Sequence, residues 1–291
     1  MSTILPIWFL PGIVALAYLI LFLVERFNPL RVPTRALWPR VVVNIVITAV
    51  ALGVAAITVR PAVEHLLALS PELSFGLLAM MELPLALEFV IAFLLFDWSF
   101  YWWHRANHRL PLLWRFHNVH HADPDLDVST AFRFHGVEIA YSAVFRVAQI
   151  VLIGPAAWMY VMYELVFQVN TLFHHSNVRL PLRPERILNR LLVTPRMHGI
   201  HHSNFHHETD SNYSTVFSWW DRLHRTIRLD VPQQAVTIGV PGYSLPEDNR
   251  AAKLLGLPFQ RQRAYWRRLD GRAMETRSDS VDTGPVGRML E

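Results

Sequence analysis

Eight histidines of this 291-residue chain fall into three tight clusters: His104 and His108 in HRANH, His117, His120 and His121 in HNVHH, and His198, His201 and His202 in HGIHH. On an α-helix, positions i, i+3 and i+4 share a face with Cβ atoms roughly 5 to 6 Å apart, so each cluster is expected to present two or three imidazoles to one point. A lone HxxxH pair is more often a solvated helix face or a satisfied core histidine than a ligand set. Two HxxHH repeats resist that account, because packed, metal-free imidazoles repel on protonation and leave ring nitrogens without partners. Neutral imidazole is the commonest protein metal ligand, and three such clusters could hold two ions.

The chain contains no cysteine, which excludes thiolate zinc sites, iron–sulfur clusters, thiolate-ligated haem and disulfides. Any metal would be held by nitrogen or oxygen. The sequence carries neither a glycine-rich dinucleotide fingerprint nor a haem-attachment motif, so redox chemistry would need a separate electron donor, such as a ferredoxin or a cytochrome with its reductase.

The elements that position the clusters are apolar. Mean hydropathy is +0.24 and 52% of residues are hydrophobic, concentrated in long blocks, as in an integral membrane protein. Ile7 to Val24 runs into Glu25 and Arg26 without a basic start or a small-residue cleavage site, and reads as an uncleaved span. Val41 to Val59 and Leu85 to Trp103 are long enough to cross a bilayer. A fourth stretch, Val137 to Phe173, is broken at Gly154-Pro155 and reads as a helical hairpin. The loop between the first two spans carries Arg26, Arg31, Arg35 and Arg40, whereas the next loop has only Arg60 beside Glu64 and Glu72. The positive-inside rule then puts the first loop, and with it all three clusters, on the cytoplasmic side, leaving His65 on the other. The expected fold is all-α: about four transmembrane helices in two hairpins and a cytoplasmic helical cap around a histidine-rich dimetal site. Residues 1–230 form one membrane-embedded unit. Residues 231–291 form a polar extension in which 276–291 is expected to be disordered.

The pI of about 9.7 is almost wholly arginine, Lys253 being the one lysine. The arginines are scattered and the basic loop adjoins apolar spans, which favours attraction to anionic headgroups over nucleic-acid binding.

The words DWSFYWWHRANH, LWRFHNVHH, AFRFHGVE, LFHHSNVRLP, TPRMHGIHHS, DSNYS and WWDRLHRT, from about Asp97 to Thr226, resemble the fatty acid hydroxylase and sterol desaturase superfamily of membrane oxidases with a non-haem di-iron centre. The resemblance implies His104, His108, His117, His120, His121, His198, His201 and His202 as metal ligands, and His175 as a further one. Adjacent His174 is a ligand or a substrate-facing residue. His135 and Glu138 lie in RFHGVE, where the pattern usually has proline in place of Gly136. His224-Arg225 stands where the pattern has Phe-Gly. The resemblance also implies two iron ions, which zinc can replace on purification, dioxygen as co-substrate, and hydroxylation or desaturation of a lipid C–H bond. A lipid could rise between spans bearing Trp98, Phe100, Trp102 and Trp103, although an interfacial aromatic belt accounts equally for those residues.

Asp97, Tyr101, His104 and His108 are spaced by four, three and four, one helical stripe. An intramembrane carboxylate there would orient a ligand imidazole or pair with an arginine. His206 and His207 lie in a polar loop and are expected to be solvated. The rivals to an oxidase are a histidine-rich metal transporter, whose ligands belong at membrane depth on broken helices, and a zinc hydrolase, which needs only about three protein ligands.

Overall fold

Proline and glycine set the ends of the apolar blocks. The computed structural model describes residues 9–73, 75–272 and 274. Ile7 and Trp8 of the first expected span, and the expected disordered tail 276–291, lie outside the described residues. The long helices are α1 (Phe9–Phe27), α2 (Leu37–Ile57), α3 (Val59–Leu73), α4 (Leu85–Arg109), α5 (Pro111–His121), α6 (Gly136–Ile153) and α7 (Ala157–His175). Shorter ones follow: α8 (Leu182–Leu188), α9 (Pro195–His201), α10 (His206–Thr209), α11 (Trp219–Leu223) and α12 (Ala251–Gly256). Among the described residues the only β-pairing is isolated bridges such as Pro29 with Val178. Among the described residues, four stretches are long and apolar enough to cross a membrane: Leu10–Phe27, Leu37–Leu69, Leu85–Arg109 and Gly136–Ile153. The chain is an all-α, multi-pass membrane protein.

Helix α3 corrects the expectation of a loop after the second span. Val59, Val63, Leu66 and Leu67 recur at helical spacing and pack with Ala92, Phe96, Ile150, Ile153 and Tyr163, burying a stripe that Arg60, Glu64 and His65 conceal in the sequence. The expected hairpin is present as α6 and α7. Gly154 closes α6 in the left-handed conformation, φ 68°, which glycine adopts without a Cβ penalty. A Cβ there would collide with the Phe75 carbonyl, so the turn also fixes how closely the α3–α4 connection approaches.

The loop arginines also brace the fold. Arg40 is buried, donating to Asp123 at 3.0 Å and pairing with Asp127. Arg26 pairs with Asp127 at 2.9 Å, and Arg31 donates to Gln233 at 2.7 Å and to the Pro195 carbonyl at 3.3 Å. Fully buried Arg133 donates to the Val119 carbonyl at 3.0 Å and to Asn44 at 2.7 Å. Of the first loop's Arg26, Arg31, Arg35 and Arg40, only Arg35 is exposed. The network ties α1 and α2 to the polar segment behind α5, and removing one member would leave a buried charge uncompensated. Residues 240–266 fold back onto α5 and α2: Val240, Tyr243, Leu254 and Leu257 pack with Ile47, Trp114, Val119 and Ala122.

Candidate metal centre

Four elements converge at the end of α4. Helix α4 supplies His104 and His108, α5 supplies His117, His120 and His121, α7 ends in His174 and His175, and α9 carries His198 and His201 with His202 as its C-cap. Helices α4 and α5 share one joint residue, Leu110, and Pro111 and Pro195 occupy the first positions of α5 and α9, where a missing N–H loses nothing.

Two groups of four buried imidazoles result. One, the α4 tetrad, is His104, His108, His121 and His201; the other, the α7 tetrad, is His120, His175, His198 and His202. Within each, the ligand nitrogens lie within 4.8 Å of one another. The sequence clusters do not each serve one point, as their spacing had suggested. Adjacent residues on a helix diverge by about 100°, so His120 and His121 face different groups, as do His201 and His202.

The hydrogen bonds identify which nitrogen is free. His104 Nδ1 bonds the Tyr213 carbonyl and His201 Nδ1 the Ser211 carbonyl, each at 2.7 Å. A carbonyl only accepts, so both rings donate from Nδ1 and both Nε2 atoms bear lone pairs. Those two Nε2 atoms are 3.1 Å apart. Burial holds the His201 ring down to a pKa of about 3, so its protonation near neutrality does not relieve the repulsion. A cation between them would. Tetrahedral ligands at roughly 2.0–2.1 Å from an ion are separated by about 3.3 Å, close to the spacing seen. His108 Nε2 and His121 Nε2 are also buried without a partner among the described residues. In the α7 tetrad, His175 Nδ1 bonds the Thr171 carbonyl at 2.8 Å, and its Nε2 meets His120 at 3.1 Å and His198 at 3.0 Å, with His198 to His202 at 3.1 Å. The residues present fit two ions.

The remaining candidates occupy distinct places. His117 belongs to neither tetrad. Its ring lies between them, 4.9 Å from His108 and 5.3 Å from His120 by centroid, with Nδ1 at 2.8 Å from Glu138 and Nε2 unpartnered among the described residues. His174 lies against His198 with centroids 4.2 Å apart and rings tilted by 54°, outside both tetrads. His135 caps α6, accepting from the Val137 amide at 3.1 Å, and its Nε2 meets the Leu255 carbonyl at 3.1 Å. It contacts no tetrad member.

Asp97 reaches neither imidazole nor arginine. It accepts from the Val216 and Phe217 amides at 3.2 and 2.9 Å and from Trp220 Nε1 at 2.7 Å, satisfying a buried carboxylate with three N–H groups. Asp221 likewise accepts from the Tyr213 and Ser214 amides at 2.9 and 2.8 Å. Together they hold the strip whose Tyr213 carbonyl orients His104. DSNYS in the sequence contains the start of that strip, but nothing in residue type reveals a backbone acceptor. His206 and His207 are exposed and outside both groups. His224 accepts from Trp98 Nε1 at 3.2 Å and stacks on Tyr101 at 4.8 Å. Arg225 adopts φ 57°, the region where the glycine of the resembling pattern would sit without strain. Gly136, in place of proline, admits α2: a Cβ there would meet Val54 at 3.1 Å.

Residues 89–226 match the fatty acid hydroxylase family model. The chain is similar to the alkylglycerol monooxygenase of Homo sapiens, 31% identical over 140 residues, covering 48% of this chain and 30% of that protein. It is 28% identical over 159 residues to the ornithine lipid hydroxylase OlsE of Rhizobium tropici, covering 55% and 47%, and 28% identical over 152 residues to the cholesterol 25-hydroxylase of Homo sapiens, covering 50% and 54%. The chain thus spans about a third to a half of the length of these relatives. No solved structure matches it. The family match covers all eight tetrad histidines, so the metal centre lies within the region that resembles the fatty acid hydroxylase and sterol desaturase superfamily.

Proposed function

We propose that this chain oxidises a C–H bond of a membrane lipid, by hydroxylation or desaturation, with dioxygen as co-substrate and two iron ions held by the α4 and α7 tetrads. The observation that carries the reading is the pair of facing Nε2 lone pairs on His104 and His201, within an all-nitrogen set of buried imidazoles at the end of an apolar helix. The relatives named above support a lipid as the substrate class. When bound, iron in such a site supplies the redox chemistry that activates dioxygen against an unactivated C–H bond.

The chain's own groups hold the ligands and keep the site dry. The carbonyls of Tyr213, Ser211 and Thr171 fix the rings of His104, His201 and His175 with Nε2 pointing inward. Glu138 does the same for His117, the carboxylate–histidine arrangement that sets a ligand's tautomer and raises its basicity. We take His117 as a further ligand on that ground, and His174 as a neighbour that packs the α7 tetrad. All the tetrad histidines are buried, which excludes bulk water from the reacting region. Trp98 and Trp102 are exposed along α4 with Phe100 and Trp103 half-buried, an aromatic face on which an acyl or sterol body can lie. The histidine clusters are placed on the cytoplasmic side, from the arginine asymmetry of the first two loops.

The test is lipid mass spectrometry of cells with and without the gene, together with metal analysis of the purified chain. Gain of one oxygen or loss of two hydrogens in a lipid, with two irons per chain, is expected. Zinc movement across liposomes without dioxygen consumption would replace this reading with transport.

A further inference from the structure

The proposed reaction needs electrons that the chain has no cofactor to gather, and an aromatic path leads from the surface to the α4 tetrad. Trp114 packs 5.0 Å from His108 and 5.3 Å from His121 by ring centroid. Trp266 stacks on the outer side of Trp114 at 5.6 Å with an interplanar angle of 26°. Trp114 is buried, Trp266 is half-buried, and exposed His206 stacks on Trp266 at 4.7 Å. Surface and tetrad are thus two indoles apart. Trp266 lies beyond residues 89–226 of the family match, so the feature comes from the segment that folds back onto α5.

The surface around Trp266 is strongly basic. Residues 261–272 contain Arg261, Arg263, Arg267, Arg268 and Arg272 against Asp270. Arg263 is engaged by Asp248 at 2.7 Å and Arg272 approaches Asp270 at 3.7 Å. Arg261, Arg267 and Arg268 are exposed and have no carboxylate partner among the described residues. Single-sign charge around a half-buried aromatic suits a protein of opposite charge, which it steers and orients on encounter.

We infer that residues 261–272 are the docking surface for an acidic one-electron carrier protein, and that Trp266 and Trp114 carry its electrons to the α4 tetrad. The inference rests on the oxidase reading. Each reduced carrier gives up one electron per visit. Two electrons and two protons accompany each dioxygen: hydroxylation inserts one oxygen atom into C–H and releases one water, and desaturation removes two hydrogens and releases two waters. Trp266 and Trp114 are conduits and undergo no net change.

The experiment uses the full chain, iron-loaded, in nanodiscs, without lipid substrate. Reduction of the ferric centre is followed by Mössbauer spectroscopy of freeze-quenched samples. An acidic plant-type [2Fe–2S] ferredoxin and dithionite serve as alternative reductants. Trp266→Leu is expected to slow reduction by ferredoxin severalfold or more, to leave reduction by dithionite unchanged, and to be rescued by Trp266→Tyr. Arg267→Glu with Arg268→Glu is expected to lower the second-order rate with ferredoxin about tenfold or more at low salt and to flatten its ionic-strength dependence.

Unchanged ferredoxin kinetics in both variants overturns the inference. So does equal slowing with both reductants, which would mark Trp266 as packing alone. If the arginine variant alters only the response to anionic lipid in the nanodisc, those arginines face headgroups and the docking surface is refuted. Failure of the dithionite-reduced parent to oxidise any lipid under dioxygen counts separately, against the oxidase reading itself.

Discussion

Each tetrad consists of four histidines, and the two differ in how the far nitrogens are held. In the α4 tetrad, His104 and His201 are pinned by the Tyr213 and Ser211 carbonyls, which forces their lone pairs together. In the α7 tetrad only His175 is pinned, by Thr171, while Nδ1 of His120, His198 and His202 is buried without a partner among the described residues. Those three rings can exchange tautomers and hydrogen-bond to one another through Nε2, whereas His104 and His201 cannot. Identical ligands therefore give one site organised in advance of its ion and one that the ion must organise, and the first should bind more tightly.

The largest effect comes from breaking each tetrad in turn. His201→Ala is expected to abolish lipid oxidation and reduce metal content from two ions to one, while circular dichroism of the spans is unchanged, because their stability comes from packing within the bilayer. Retention of both ions would refute the ligand assignment. The comparison sharpens when the partner variant is added. The ion left in His202→Ala sits in the pinned tetrad, and in a chelator titration it should be held about tenfold more tightly than the one left in His201→Ala, the scale on which ligand-orienting bonds act. Equal affinities would show that the carbonyl anchors are immaterial.

Glu138→Gln keeps shape and removes the charge facing His117. It should weaken metal retention or activity by roughly 10- to 100-fold, read from product formation and iron content together. Acid should act on the metal-free protein as well. His201 titrates near 3 when folded against 6.5 when free, so below 6.5 the unfolded chain binds the proton that the folded one refuses. That contribution to stability is intact above about pH 6.5 and is lost progressively as pH falls toward 3. Thermal unfolding of the apoprotein across that range should show a falling midpoint, and a flat profile would contradict the buried neutral imidazole. The smallest effect concerns a residue that is in neither tetrad. Arg225→Gly relieves about 1–2 kcal/mol of left-handed backbone and gives back roughly 0.5–1 kcal/mol in unfolded-state entropy. A net gain of up to about 1.5 kcal/mol in unfolding free energy, with metal content unchanged, is the expected result.

Much of this was legible in the sequence because histidine spacing and long apolar runs survive without tertiary context. The helical setting of His104 and His108 and the break at Gly154-Pro155 follow from local rules, whereas the place of His175 came from the resemblance of LFHHSN to the superfamily's pattern. Helix α3 was hidden because Arg60, Glu64 and His65 mask a stripe of only four apolar residues. The sorting of His120 from His121 depends on where α7 and α9 end in space, which spacing alone does not give. Asp97 and Asp221 were opaque for another reason: their partners are main-chain amides, and every residue but proline has one. Arg26, Arg31 and Arg40 read as a topological signal yet also serve as internal struts, since a charge count does not distinguish a guanidinium facing lipid from one facing Asp127.

The placement of His120 beside His121 and of His201 beside His202 has a geometric consequence. Each pair of neighbouring residues sends one nitrogen to either tetrad, so the interval between the two metal positions is gauged by the pitch of a single helical step, twice over, from two independent elements. Lateral drift of α5 or α9, as when bilayer thickness changes, would carry one ligand of each ion in the same direction. The separation of the ions would then behave as a built-in ruler, steady while the surrounding helices tilt.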